Sequence, residues 1–556
     1  MIFEIALVFA SIGCAQASWI DGAWLGKRQA TATSASSTAT PAYFQTVPEL
    51  LAGPTPTGDA PFLPEYNPAP FPSVSYIPPQ PLETQVPISG NTANNNIFQL
   101  FGQLSHYFAN PTGFGANEYR LPAGANISAV YTLHRHGSRY PTTGSGAPTT
   151  GAKIINATGT FNATGSLAFL NTWKYQLGAE ILVPIGKQEL FDSGVSHYYN
   201  YGHLYPNNGS KIIVRSTTQD RMTQSAEYFL AGFFGLTWTQ NATLELIIEQ
   251  NGFNNSLAGY YDCPNNNNAT LAYGNLALTQ WSNIYLANAT SRINSMISGK
   301  LNFTVSDVYN MQSLCAYETV ALGYSPFCGL FTYDEWQGYE YSVDINFYGN
   351  NMFGGPSSRG TGIGWVLETV ARIQHKFVSS AQGPLNYTLD SMASTFPTNQ
   401  ALNFDFTHDT NIAAILTAFG LTQFAPFLPA TAIQNNRSLI VSHMEPFGAR
   451  LDIEIIQAPK PVSASRNGTA ATDYASGNAT TYVHFLLNQR TIPLGASWSQ
   501  CGNRTDGWCE MGAFLNTMST KFTESQFQYA CFGSYPNVTY SASGVTNGVP
   551  QVPQKK

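Results

Sequence analysis

The chain reads as an α/β protein, a sheet domain interrupted by a long and mostly helical insertion. Three observations carry that expectation. Apolar runs at residues 129–133, 211–214 and 402–406 each end in arginine or histidine, and the second and third lead into a helical pattern, the order in which an α/β sheet delivers side chains to its carboxyl edge. Between 240 and 395, Asn-rich loops alternate with helical patterns such as 278–298 and 364–378, with no clear strand. That texture places an insertion at 236–395 between two sheet-forming stretches, 91–235 and 396–540. At 556 residues the chain also exceeds the size at which one core usually stops growing.

The first strand lies in AVYTLHRHGSRYPT, residues 129–142, and empties into Arg135, His136 and Arg139. Two guanidinium forks can hold a phosphate or carboxylate bidentately, and an imidazole between them can attack what they hold. Alone, an RHG tripeptide describes a basic surface cluster equally well. A helix within 174–201 follows and packs on the sheet. The second strand, 211–214, runs into Arg215, which this layout puts at the same carboxyl edge, and the next helix aligns Met222, Ala226, Phe229 and Phe233 on one face. The third strand, 402–406, runs into Thr407-His408-Asp409-Thr410 and a helix over 411–419 stopped by Gly420. His408 and Asp409 then stand at a helix N-terminus, where backbone N–H groups and the dipole favour anions. An isolated His-Asp would fit a capping aspartate. The segments PFGARLDIEII and TTYVHFLLNQRTIPL alternate like an edge pair of strands, and His106, His197, His203, His443 and His484 are expected to be structural or solvated.

Taken in this order the motifs resemble a known family. Residues 135–141, RHGSRYP, are similar to the RHGxRxP signature of the histidine acid phosphatases, which include the fungal phytases, and the likeness runs from Asn96 to Cys531. RSTTQDR, from Arg215, resembles the block that supplies a third phosphate-binding arginine, and CAYETVALGYSPFCGLFTYDEW resembles the same region of fungal acid phosphatases and phytases. The resemblance implies a three-layer α/β sheet domain of the phosphoglycerate mutase-like kind, and hydrolysis of phosphate monoesters without a cofactor or metal. Arg135, Arg139, Arg215 and His408 would clamp the phosphate. His136 would attack phosphorus to give a phosphohistidine, with the Gly137 carbonyl holding its other N–H. Asp409 would protonate the leaving alkoxide, so acidic pH is expected to favour activity.

Composition sets the compartment. Net charge is −7 and only 10% of residues are charged, which argues against nucleic acid or anionic membrane as a partner. Residues 1–17 have the apolar core and the Ala15-Gln16-Ala17 ending of a signal peptide, although Glu4 replaces the usual positive start. A Ser/Thr/Pro-rich tail or pro-segment follows over 18–90, with Lys27-Arg28 as a dibasic processing site, and 541–556 form a second tail. Asn-x-Ser/Thr sequons stand at Asn126, Asn156, Asn162, Asn208, Asn241, Asn254, Asn268, Asn288, Asn302, Asn386, Asn436, Asn467, Asn478, Asn503 and Asn537, a density that points to a secreted, extracellular or cell-wall glycoprotein. Seven cysteines become six once Cys14 leaves with the signal. Spacing suggests the local bridges Cys315 to Cys328 and Cys501 to Cys509, leaving Cys263 for Cys531, and the resemblance implies the same pairing. Phytases carry a further bridge whose positions match Ala125 and Ala458. No Cys-x-x-Cys, HxH or HExxH spacing is present, and no membrane span follows the signal.

The leading expectation is a secreted acid phosphatase of broad range. Phytase is the close alternative. The segment after the motif, TTGSGAPTTGAK, offers only Lys153 against a densely anionic substrate, although Lys174 and Lys187 could approach. A mutase of the same superfamily fits poorly with the sequons and cysteines, and a non-catalytic cell-wall glycoprotein fits poorly with a complete set of catalytic residues.

Overall fold

The computed structural model describes residues 88–93, 95–466, 473–535 and 539–550. The leader, most of the 18–90 tail, Lys27-Arg28, Asn467 and Asn537 lie outside the described residues. The sheet has eight strands: β1 Asn126–Arg135, β2 Ile212–Thr217, β3 Ala242–Ile247, β4 Leu402–Thr407, β5 Arg450–Ala458, β6 Thr480–Leu487, β7 Arg490–Thr491 and β8 Cys509–Glu510. Their order is β8-β6-β5-β1-β4-β2-β3, with β7 paired to β6. The four strands from β1 to β3 run parallel, and β5 to β8 continue the sheet antiparallel. The carboxyl ends of β1, β4, β2 and β3 therefore open on one edge, and the chain entering β5 arrives at that same edge.

Alternation along β1 sends Val130 to one face of the sheet and Tyr131 and Leu133 to the other. On the first face, α2 (Pro184–Tyr201) and α3 (Asp220–Phe234) pack with Val130, Val214, Phe404 and Phe406. Met222, Ala226, Phe229 and Phe233 form the buried stripe of α3, as their spacing predicts. On the second face, Tyr131, Leu133, Leu451, Ile453 and Phe485 share one cluster with α8 (Ser358–Ile373) and α9 (Asp409–Phe419). The result is three layers. Each large apolar side chain so buried contributes about 1.5–3 kcal/mol.

The helices between β3 and β4 belong to that second cluster as well. α6 (Val305–Leu322) and α7 (Tyr333–Asn351) both open on capping boxes, Thr304 with Asp307 and Thr332 with Glu335. The stretch expected to lack strands is not free of them. β3 pairs in parallel with β2 at the sheet edge, and Phe161–Ala163 pairs with Ile297–Gly299 in a separate ribbon. ATLELI escapes a hydrophobicity scan because only its first and last residues are buried, the pattern of a half-covered edge strand. β5 and β6 are not an edge pair either, since β5 lies against β1 and β8 covers β6. Cys263–Cys531, Cys315–Cys328 and Cys501–Cys509 are bridged as expected. Ala125 and Ala458, where the further bridge would stand, pack in one small apolar cluster. Among the described residues, no helix is long and apolar enough to cross a membrane.

Candidate active site

β1 ends on Arg135, and the RHGS turn leaves it tightly packed. A Cβ on Gly137 would fall on the Gly186 carbonyl and Leu190 of α2, and one on Gly186 would fall on Ser138. Two glycines thus let the turn press against the start of α2 (the close approach glycine permits). Glu189 of α2 then accepts from Ser138 N at 2.6 Å, Ser138 Oγ at 2.9 Å and Tyr107 N at 2.9 Å, fixing the turn from below. His136 is 1% exposed. The Gly137 carbonyl lies 2.9 Å from its Nδ1, and a carbonyl can only accept, so Nδ1 carries the proton. Nε2 is left with its lone pair. Burial, then Arg135, Arg139, Arg221 and His408, hold the His136 pKa well below its ordinary value, so the ring stays neutral in acid.

At the end of β4, His408 takes an extended N-cap conformation before α9, and its ring meets that of His136 edge-on at 5.6 Å. Its Nε2 lies 3.1 Å from Glu249 Oε2, just past β3. Glu249 also accepts from Tyr260 at 2.6 Å and from Gln219, and its backbone N–H donates to Thr218. Burial pushes its carboxyl up, but His408 and the hydrogen bonds outweigh burial and bring it to about 2. Asp409 begins α9. Its Oδ2 accepts from Arg135 Nη2 at 2.7 Å, and its Oδ1 from the Thr410 N–H at 2.8 Å. Against burial, Arg135, Arg139, the Thr410 N–H and His408 hold it below the usual carboxylate range.

The structure corrects the expectation for Arg215. β2 runs on to Thr217, so Arg215 sits in the body of the strand, directly across from Asp405 of β4. Its Nε and Nη2 bind the two Asp405 oxygens at 2.8 and 2.6 Å, and Nη2 also binds Glu368 at 2.8 Å. Arg372 and Trp365 complete the cage on Asp405 Oδ2 at 2.9 and 2.8 Å. That guanidinium is spent inside the protein. The arginine that β2 brings to the edge is Arg221, the last residue of RSTTQDR, in the first turn of α3. Arg221 is 8% exposed, gives Nη1 to Glu180 at 2.9 Å, and acts electrostatically on His136 and on Arg139.

Among the described residues, the Nε–H of Arg135, Arg139 and Arg221 is in each case buried without an acceptor, as it also is in Arg372 and Arg466 away from this turn. Arg135 gives Nη1 to the Gln103 and Glu445 carbonyls, and Arg139 gives Nη1 to the Tyr140 carbonyl. Three guanidinium groups near one another with unmet donors form an electron-poor pocket around a neutral imidazole, suited to an anion with several oxygens. Of the residues expected at the site, Arg135, His136, Arg139, His408 and Asp409 come together, and Arg215 does not. Sequence reasoning missed Arg221, Glu249 and Glu189. For Arg221 the signal was present, an arginine in the first turn of a helix that follows a strand; for the two glutamates it was not. Among the other histidines, His197 binds Asp452 at 3.0 Å and His484 binds Glu454 at 2.8 Å, and burial lowers His106 and His443 to about 4.

The chain is similar in sequence and fold to known proteins. Over residues 126–488 it matches the model of the histidine phosphatase superfamily, branch 2. It is 30% identical over 437 residues to phytase A of Arthroderma benhamiae, covering 76% of this chain and 89% of that one. It is 29% identical over 419 residues to an acid phosphatase of Schizosaccharomyces pombe, covering 71% and 82%. The fold matches the crystal structure of the phytase from D. castellii with a TM-score of 0.62 at 24% identity, covering 81% of this chain and 93% of that chain. With its sheet, its RHGSRYP turn and its THDT helix start in place, the chain belongs to branch 2 of the histidine phosphatase superfamily.

Proposed function

We propose that this protein is an acid phosphatase that hydrolyses phosphate monoesters through a phosphohistidine at His136. The observation that carries this reading is the trio of unpaired, buried Nε–H donors on Arg135, Arg139 and Arg221 around an imidazole whose Nε2 is free to attack. The arginines and His408 hold the phosphate oxygens. Arg221 takes the part first expected of Arg215. The His136 Nε2 lone pair forms the N–P bond as the bond to the leaving oxygen breaks. Asp409 gives that oxygen its proton. Water then attacks phosphorus, the N–P bond breaks, and the Asp409 carboxylate receives the proton that water loses.

In the free protein Asp409 is ionised against Arg135, so the proton must come with the substrate. A phosphate group that draws Arg135 to itself removes the charge holding Asp409 down. A monoester monoanion, the acidic-pH form, brings a proton with it. We also read the protein as secreted and N-glycosylated. The three disulfides support this, as does the solvent access of every sequon asparagine among the described residues, with Asn241 and Asn386 the least exposed.

Phytate is the second reading, favoured by the phytases among the relatives. Lys153 supports it less than expected, because its Nζ is paired with Asp307 Oδ2 at 2.6 Å. Comparing turnover of a small aryl phosphate and of phytate separates the two. Quenching with labelled substrate should trap an acid-labile, base-stable phosphoramidate that His136→Ala abolishes. An active His136→Ala variant would refute the mechanism.

A further inference from the structure

Behind the arginines sits a carboxyl that the reaction above does not use. Glu445 follows the short helix Val441–Met444 and precedes Phe447, whose ring lies 4.6 Å from Arg135 Cζ. It is 1% exposed. Its backbone carbonyl accepts a hydrogen bond from Arg135 Nη1 at 2.6 Å, yet neither side-chain oxygen has a hydrogen-bond partner among the described residues. Arg135 Nε, on the guanidinium beside it, lacks a partner too.

Arg135 is the cation that acts on Glu445, and it faces a second carboxyl as well. Asp409 already holds Arg135 Nη2 at 2.7 Å. A second carboxylate in the same buried volume would have no countercharge, and such a group takes up a proton instead. Burial, then the charge of Asp409, hold the Glu445 proton well above the ordinary carboxyl range, against the pull of Arg135. Arg139, and Tyr317 of α6, also act on Arg135, and Glu189 of α2, which senses Arg135 too, is held by Ser138 and the Tyr107 N–H. Glu340 and Asp344 of α7 are bound by Arg437, Ser442 and the Val441 N–H. His443 on its own turn and His106 beyond the Gly102–Leu104 turn are lowered to about 4 by burial, and Tyr107 is raised. Among the described residues, Glu445 is thus a carboxyl here that no hydrogen-bond or ion-pair partner holds.

We propose that Glu445 is a positioning residue for Arg135: as a neutral acid it leaves the guanidinium to the phosphate, and as a carboxylate it takes the Arg135 Nε–H itself and expels the phosphate. The inference rests on the reading of the arginines as a phosphate site. It gives the preference for acid a second origin, separate from the leaving-group proton.

The test is inhibition of the full-length protein by inorganic phosphate, with a small aryl phosphate as reporter, from about pH 4 to about pH 8. Wild type, Glu445→Gln, Glu445→Leu and Glu445→Asp are compared. Taking the ratio of wild-type to variant inhibition constants cancels the titration of phosphate itself. For Gln and Leu the ratio should be smallest in acid and grow about tenfold toward the alkaline end, the size of one charge removed from a partly buried ion site. Asp, which keeps a titrating carboxyl, should follow the wild type. A ratio that stays constant with pH would make Glu445 a packing residue and overturn the proposal, as would an Asp variant that behaves like Gln. If either neutral variant fails to fold, the other gives the same comparison. Phosphate that inhibits the wild type at no pH would instead overturn the phosphate-site reading.

Discussion

Exchanging the roles of two arginines six residues apart gives the sharpest test of the site. Arg221→Gln removes a charged donor whose Nε–H is unmet in the free protein. A hydrogen bond to a charged group contributes about 1.5–3 kcal/mol, so the phosphate inhibition constant should rise about 10- to 150-fold. Folding should suffer little: Arg221 loses its Glu180 contact but also its repulsion from Arg139. Arg215→Met should behave in the opposite way. It strips Asp405 and Glu368 of a buried counter-ion, and breaking such a pair costs about 3–5 kcal/mol, softened here because Arg372 and Trp365 still hold Asp405. A fall in Tm of about 2–5 °C follows, with phosphate affinity nearly kept in the folded fraction. Thermal unfolding and phosphate inhibition, measured on both variants, read the two effects separately. An Arg215 variant that melts like the wild type but loses phosphate, or an Arg221 variant that melts early but binds phosphate normally, would refute the assignment.

Two further outcomes are expected. Asp409→Asn should slow phosphoenzyme formation from an alkyl phosphate by about 10²- to 10⁴-fold and from an activated aryl phosphate much less, because only the poor leaving group needs a proton; equal losses in single-turnover measurements would reduce Asp409 to a phosphate-site or structural residue. Stability should fall as pH rises from about 6.5 to about 8, above the range in which the unfolded chain protonates the buried neutral histidines and works the other way. Burial raises Glu245 and Glu318 to about 7, Asp262 to about 8 and, with Glu368 nearby, Asp390 to about 9. A carboxyl raised in the folded state holds its proton more tightly there than in the unfolded chain, so its contribution is complete below the unfolded value near 4 and is lost as pH climbs through the folded one. A Tm that is flat or rising over that range would contradict these assignments.

What could be read in the sequence was local. Strands β1 and β4 announce themselves as apolar runs that end in Arg-His and His-Asp, the α3 stripe repeats at helical spacing, and Gly420 stops α9 in a left-handed conformation as expected. Arg215 was misplaced because a strand's last residues are its least certain: two further residues in β2 turn an edge position into a mid-strand one and hand the guanidinium to Asp405. Glu249 gives no signal at all, since it acquires meaning only from His408, 159 positions away. Glu445 likewise reads as an unremarkable residue before a proline until the fold sets it behind Arg135.

The order of strands in the sheet differs sharply from their order of synthesis. β1 lies between β4 and β5, and Arg135 meets Asp409 across 274 positions of chain. At about 5–20 residues per second, β1 leaves the ribosome tens of seconds before either neighbour exists. During that time it offers two open edges and an apolar face, the condition under which strands join the wrong partner. Its pairings are also among the most distant in sequence, the kind that closes slowly. A truncated chain ending before β4 would hold His136 without His408 or Asp409, so the site arises only when the sheet closes, and its yield depends on how well β1 is kept from other chains until then.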